Sequence, residues 1–147
     1  MATAVIARCS HGRAAVVGLD THVIVRYLAQ DDPRQSAAAT RFIERTLSPE
    51  NPGLIVAITL CEVVWVLAEC YGADRARIRA VMEGLLSSRQ LAVDEANLVW
   101  KALRAWDASS ADFSDALIGQ IVAARGGEKT LTFDRAAAKL PGFELLQ

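Results

Sequence analysis

Short apolar runs alternate with longer segments of helical periodicity along most of the chain. Runs that are apolar at every position are typical of strands buried on both faces of a parallel sheet. The predicted strands are residues 14–19, 54–58, 90–93, 129–133 and 143–146. The predicted helices are residues 23–28, 33–47 with Pro33 in the first turn, 59–70 with a capping box at 59–62, 75–87, 95–106, 109–125 and 134–140. This alternation predicts a three-layer α/β/α domain with a mainly parallel central sheet.

The first residues of the chain lack this pattern. We therefore expect residues 1–13 to be an extension, followed by a single domain over residues 14–147. The extension has neither the basic stretch nor the long apolar core of a signal peptide. No apolar run approaches the roughly 20 residues of a membrane span. These features predict a cytoplasmic protein that makes no membrane contact.

Composition excludes several classes of protein. Of the 147 residues, 52% are hydrophobic and 22% are charged, which excludes a disordered chain. The formal net charge is −1, so no overall positive field attracts nucleic acid, and any such chemistry needs a local site. Cys9, Cys61 and Cys70 form no CxxC pair, which argues against a disulfide framework or a cysteine zinc site.

Acidic residues gather at the ends of the predicted strands. Asp20 closes the first strand, Glu62 follows the second, and Asp134 directly follows the strand that ends at residue 133. Asp112 and Asp115 open the helix before that strand, and their spacing of three places them on one helix face. In open parallel sheets, ligand sites lie beyond the carboxyl ends of the strands. The pattern therefore predicts a site lined by carboxylates.

Most of these acids also have an ordinary structural explanation. Only Asp115 lies too far into its helix to be an N-cap. A capping position explains the others one by one: Asp20 and Asp134 as N-caps, Glu62 and Asp112 as partners of Thr59 and Ser109.

Several carboxylates in one pocket would need a compensating positive charge. No histidine or lysine recurs at these strand ends, and the usual solution is a hard divalent cation such as Mg²⁺ or Mn²⁺. Such an ion polarises a phosphodiester and lowers the pKa of a bound water. The acids therefore indicate metal-dependent hydrolysis of phosphoesters.

Four sequence motifs follow one another in the order found in a known family. They are LDTHVIVRYL at 19–28 with DDP at 31–33, LCEVVWVL at 60–67, ADFSDALI at 111–118, and TFDR at 132–135 with LPGF at 140–143. Through them the chain resembles PIN-domain proteins of the VapC toxin type, from type II toxin–antitoxin systems. The resemblance runs from about Val17 to Leu146 and so covers nearly the whole chain.

The resemblance implies a PIN fold and a Mg²⁺- or Mn²⁺-dependent endoribonuclease. Residue by residue, the family's catalytic metal ligands fall on Asp20, Glu62, Asp115 and Asp134, and Asp112 matches a further acid beside the site. The implied partners are an RNA substrate, a cognate antitoxin whose C-terminal segment blocks the acidic site, and a second copy in a homodimer. The alternative is a PIN scaffold without catalysis that only pairs with protein or RNA partners. The presence of all four acids argues against it.

Several other residues have two explanations. His22 stands where the family more often has Asn, so it either replaces that amide, contacts substrate or faces solvent. Thr132 either positions a ligand or water beside Asp134 or is an ordinary strand residue. For Arg26, a solvated or salt-bridged side chain is favoured over a phosphate contact.

A second enzyme class with acids at strand ends is a domain that accepts a phosphoryl group, such as a receiver domain or a small phosphatase. A receiver domain needs Asp where this chain has Glu62, and a DxDx[TV] phosphatase needs a second acid that the sequence after Asp20 lacks.

The helix around Trp65 is apolar nearly all round, which predicts a face covered by a partner or a second copy. Cys61 has no histidine neighbour in sequence, so we expect a small buried side chain and not a nucleophile.

Overall fold

The computed structural model describes residues 16–147. The predicted extension, residues 1–13, lies outside the described residues. The chain forms two compact units, the first ending at Ala96 and the second comprising Asn97–Gln147. The prediction of a single domain over residues 14–147 stays a prediction.

The first unit contains a three-stranded parallel sheet with helices between its strands. Strand β2 pairs with β1 on one side and with β3 on the other, so the strand order is β1-β2-β3. Its elements are β1 (Val17–Gly18), α1 (Thr21–Ala29), α2 (Pro33–Arg41), a π-helical turn (Phe42–Thr46), β2 (Gly53–Ile55), α3 (Ala57–Tyr71), α4 (Arg75–Ser87) and β3 (Leu91–Val93).

Helices α1 and α2 begin at residues that local sequence marks well. Helix α1 begins two residues before its predicted start, directly after Asp20 at the N-cap. Helix α2 has Pro33 in its first turn, and the Asp32 side chain accepts from the Arg34 and Gln35 N–H groups at 3.1 and 2.9 Å. The predicted start of this helix at Asp31-Asp32-Pro33 is confirmed, but its predicted end at Leu47 is wrong, because the α-helix ends at Arg41 and continues as the π-helical turn.

The junction between β2 and α3 lies earlier than predicted. The strand ends at Ile55 and Val56 is the N-cap, so Thr59 is a buried residue inside the helix. The predicted capping box of Thr59 and Glu62 is therefore wrong, and Glu62 lies in the second turn of α3. An unbroken apolar run carries no polar side chain that marks the boundary.

The second unit contains two parallel strands and the helices around them. Its elements are α5 (Ala96–Asp107, whose first residue closes the first unit), α6 (Phe113–Ala124), β4 (Thr130–Thr132), a 3₁₀ turn (Ala137–Lys139) and β5 (Phe143–Leu145). The predicted helix 134–140 is only the 3₁₀ turn. Helix α6 begins after Asp112, because Ser109 donates its hydroxyl to the Trp106 carbonyl and accepts from the Ala111 N–H. Ser109 therefore does not cap a helix with Asp112.

Apolar side chains fill the interior of each unit. Each fully buried aliphatic side chain contributes about 1.5–3 kcal/mol. In the first unit the fully buried side chains include Ile24, Ile55, Leu60, Val63 and Met82; in the second they include Val99, Leu103 and, nearly so, Trp106 and Phe113. The rings of Trp106 and Phe113 meet edge to face with centroids 6.2 Å apart.

One close approach positions helix α6 on β5. A Cβ atom on Gly119 would overlap the ring of Phe143, so only glycine lets the helix lie this near the strand. Asp115 lies one turn before Gly119 on the same helix, and its carboxyl is close enough to Asp134, which follows β4, for their charges to interact.

Parallel strands joined by helices confirm the predicted α/β class. Among residues 16–147, no helix is both long enough and apolar enough to cross a membrane.

Candidate active site

Asp20 occupies the N-cap position of α1 without using its side chain to cap the helix. Its backbone is extended, with φ −77° and ψ 161°, and its carboxylate accepts no hydrogen bond from the first turn. The side chain is exposed, and the His22 Nδ1 lies 4.0 Å from Asp20 Oδ2. The N-cap explanation thus accounts for the backbone of Asp20 but leaves its carboxylate available.

Thr21 connects the start of α1 to Glu62. Its buried hydroxyl donates a hydrogen bond to Glu62 Oε2 on α3. The residue next to Asp20 therefore holds the carboxylate of Glu62, which brings the first two predicted acids into one region of the first unit. The other carboxylate oxygen, Glu62 Oε1, remains for a further partner.

Three acids of the second unit interact electrostatically. Burial raises the pKa of the Asp115 carboxyl, and the negative charges of Asp112 and then Asp134 raise it further. Asp112 is the N-cap of α6 but makes no side-chain cap hydrogen bond, and Asp115 lies in the first turn. The charges of Asp112 and Asp134 thus oppose ionisation of Asp115, and a bound cation would relieve that repulsion.

The chain around Asp134 is held by two side-chain turns. Asp134 Oδ1 accepts from the N–H groups of Ala136 and Ala137 at 2.7 and 3.2 Å. The Thr132 hydroxyl accepts from the Asp134 N–H at 3.0 Å. One oxygen of Asp134 thus caps the following turn, as a capping acid would, while Oδ2 makes no such bond. Thr132 fixes the backbone of Asp134.

The predicted ligands divide between the two compact units, with Asp20 and Glu62 in the first and Asp115 and Asp134 in the second. In the part of the chain from residue 16 onward, no three His, Cys, Asp or Glu side chains stand close enough to hold one metal ion. The donors that this chain offers are carboxylate oxygens, the ligands that Mg²⁺ and Mn²⁺ prefer.

Arg26 belongs to a network on the protein surface. Its guanidinium pairs with Asp31 at 3.1 Å and donates to Gln35 at 2.8 Å, and the Tyr71 hydroxyl donates to Asp31 at 2.6 Å. The hydrogen bond from Tyr71, together with Arg26, lowers the pKa of the Asp31 carboxyl. The expectation of a salt-bridged arginine is confirmed.

Two further expectations concern α3. Partial burial and the charge of Glu62 raise the pKa of the Cys61 thiol, which keeps it protonated and a poor nucleophile, as predicted, but the side chain is half-buried and not buried. Trp65 is 62% exposed, so it does not pack in the core. Its exposed ring is consistent with a face of α3 that only a partner or a second copy would cover.

Sequence reasoning missed Thr21. Its position directly after an N-cap looks ordinary, and its partner Glu62 lies 41 residues further along the chain. The sequence feature that could have indicated its role is a hydroxyl side chain that directly follows the candidate ligand Asp20 where a helix begins.

A family model for the PIN domain matches residues 17–142, most of the chain. The chain belongs to the PIN domain family. PIN domains are generally metal-dependent nucleases that use ions such as Mg²⁺ or Mn²⁺, so the chain has a fold of nuclease type, and the three-layer α/β/α PIN-like class is confirmed. A search of curated proteins found no significant match.

Proposed function

We propose that this PIN-domain protein is the toxin of a toxin–antitoxin pair and acts as a cytoplasmic endoribonuclease. In this proposal Asp20, Glu62, Asp115 and Asp134 bind Mg²⁺ or Mn²⁺ and hydrolyse RNA phosphodiesters, with Asp112 beside them. The observation that carries it is the placement of the Asp115 carboxyl, whose pKa is raised by burial and by the neighbouring charges of Asp112 and Asp134. A protein gains nothing in stability from such a cluster unless a cation neutralises it.

The local contacts of Asp20, Glu62 and Asp134 leave a carboxylate oxygen of each side chain for a metal ion. Asp20 leaves its carboxylate out of helix capping, and Thr21 orients Glu62 through one oxygen. The N–H groups after Asp134 hold its Oδ1 and leave Oδ2 for a ligand. When bound, the ion supplies positive charge for the phosphodiester and lowers the pKa of a water.

The antitoxin part of the proposal is supported by an open groove in the first unit. The groove has a volume of about 510 Å³ and is lined mostly by apolar side chains of β1, α1 and α2. His22 lines it as well, two residues from Asp20. A peptide segment in this groove would contact His22, whose Nδ1 lies 4.0 Å from Asp20 Oδ2, and would so come close to that carboxylate.

The homodimer is supported by exposed apolar side chains on α3. Ile58 is 74% exposed and Trp65 is 62% exposed, and their spacing of seven places them on one face of the helix. A second copy of the chain would remove this face from water.

The scaffold without catalysis is not favoured. A chain that only pairs with partners has no need to retain Asp20, Glu62, Asp115 and Asp134 together. The carboxylate of Asp20 in particular makes no side-chain hydrogen bond that caps α1, and its neighbour is the exposed ring of His22 at 4.0 Å.

The test is Mn²⁺ binding by calorimetry, followed by cleavage of total RNA, on the wild type and on Asp20→Asn. We expect saturable Mn²⁺ binding and cleavage in the wild type, and loss of both in a folded Asp20→Asn variant. Glu69→Gln is the matched control, because it removes an exposed carboxylate from α3 away from the site. Full cleavage by Asp20→Asn would refute the assignment.

A further inference from the structure

Phe133 is the most exposed large apolar side chain among residues 16–147. Its ring is 79% exposed, although burying a phenylalanine is worth about 1.5–3 kcal/mol to a folded protein. It stands in sequence between Thr132, the last residue of β4, and Asp134, a proposed ligand. None of the residues named so far was predicted to bind RNA. An exposed aromatic ring next to a proposed metal ligand is a candidate for that role.

The backbone on both sides of Phe133 is fixed. The Thr132 hydroxyl accepts from the Asp134 N–H at 3.0 Å, and the Thr132 carbonyl accepts from the Leu146 N–H at 2.8 Å. After the ring, Asp134 Oδ1 accepts from the Ala136 N–H at 2.7 Å. Only the two side-chain torsions of Phe133 remain free, so little conformational entropy is lost when a ligand contacts the ring.

The surface around Phe133 is mixed and not apolar. Leu131 pairs in register with Glu144, and both are exposed on the same face of the two strands. Glu144 in turn forms an ion pair with Lys129 at 3.0 Å. A protein interface would have to desolvate this pair, and charged residues are depleted at interface cores. A ligand that contacts only the ring avoids that cost.

We propose that the ring of Phe133 stacks on an unpaired base of single-stranded RNA next to the phosphodiester that is cleaved. An aromatic ring can stack on any base, and stacking on such platforms is a principal mode of single-strand recognition. Arg135, exposed two residues further on, adds positive charge for the phosphates of the same strand. This inference rests on the proposed function, since it adds the base contact to the same site.

The experiment measures the binding of a fluorescein-labelled single-stranded RNA of mixed sequence to the full chain by anisotropy. Ca²⁺ replaces Mn²⁺, and a denaturing gel checks that the RNA stays intact. We expect Phe133→Ala and Phe133→Leu to weaken binding roughly 5- to 140-fold, the range for one stacked base. Phe133→Tyr keeps the π-face and should stay within about twofold of the wild type.

Leu131→Ala is the matched control, because Leu131 is an exposed apolar residue of β4, the strand that Phe133 directly follows. Equal losses in Leu131→Ala and Phe133→Ala, or full binding by Phe133→Leu, would show an unspecific apolar contact and overturn the stacking. A change of mass in light scattering for Phe133→Ala would instead assign the ring to a protein interface.

Mn²⁺ calorimetry on the same variants separates this inference from the proposed function. Wild-type protein that binds Mn²⁺ but no RNA overturns the stacking and leaves the metal site standing. Wild-type protein that binds RNA through Phe133 but no Mn²⁺ overturns the metal site alone.

Discussion

The hydroxyl of Thr21 donates a hydrogen bond to the carboxylate of Glu62, 41 residues further along the chain. Thr21 is the first residue of α1, and Glu62 lies in the second turn of α3. Because Thr21 is buried, water does not compete for its hydroxyl. The contact fixes one oxygen of Glu62 and directs the side chain toward the region of Asp20.

Replacing Thr21 tests this positioning. Thr21→Val keeps the shape of the side chain but removes the donor, so we expect Mn²⁺ affinity to fall by about 10- to 100-fold. Thr21→Ser retains the hydroxyl and should restore most of the affinity. Calorimetry gives both values, and thermal unfolding without metal checks the fold. Equal Mn²⁺ affinities for the Val and Ser variants would show that the hydroxyl has no positioning role.

Asp115→Asn should make the protein more stable while removing its metal binding. The pKa of Asp115 is raised in the folded state, so its contribution favours folding below the unfolded pKa and is lost as the pH rises through the folded pKa. At pH 7 the ionised carboxylate therefore opposes folding. We expect the metal-free variant to melt about 2 °C higher at pH 7, and no difference at pH 3. Thermal melts at the two pH values measure this.

The same two proteins, wild type and Asp115→Asn, should also differ in how Mn²⁺ changes their melting temperatures. Saturating Mn²⁺ should raise the melting temperature of the wild type but not that of Asp115→Asn, because only the folded wild type binds the ion. Glu128→Gln removes an exposed carboxylate of the same unit and serves as the control. A variant that melts lower than the wild type at pH 7 would contradict the destabilising charge.

Gly119→Ala should destabilise the second unit. The added methyl group overlaps the ring of Phe143, and overpacking of this kind costs about 1–3 kcal/mol. Gly84→Ala is the matched control, because that helical glycine has open space around a Cβ and should gain about 0.5–1 kcal/mol. Urea unfolding measures both. A stabilised Gly119→Ala variant would mean that α6 does not need its close approach to β5.

Tyr71→Phe should lower stability only where Asp31 is ionised. The hydrogen bond from Tyr71 lowers the pKa of Asp31, so this contribution is present above the unfolded pKa and lost as the pH falls through the folded pKa. We expect a slightly lower melting temperature at pH 7 and no difference well below pH 3.8, the ordinary value for Asp. RNA cleavage should not change, because the network of Arg26 is structural. Lost cleavage would assign Arg26 or Tyr71 to substrate binding.

The sequence predicted those parts of the fold that local patterns determine. Helix α4 has the predicted bounds, because the N-cap Asp74 and an amphipathic repeat mark it. The start of α3 was misplaced, because residues 54–58 carry no polar marker and Thr59 with Glu62 imitates a capping box. The acids were predicted from their positions after the predicted strands, and their role as ligands stays a prediction. The bond between Thr21 and Glu62 was not, because a contact across 41 residues depends on how α1 and α3 pack.

The absence of a capping hydrogen bond from the Asp20 carboxylate has a practical consequence for producing the protein. Since the side chain contributes no cap bond to α1, its amide replacement removes charge without removing a contact that the helix needs. If the proposed function holds, cells that express Asp20→Asn should accumulate a folded chain that does not cleave their RNA. That variant could then be used to capture the uncleaved RNA and the proposed antitoxin.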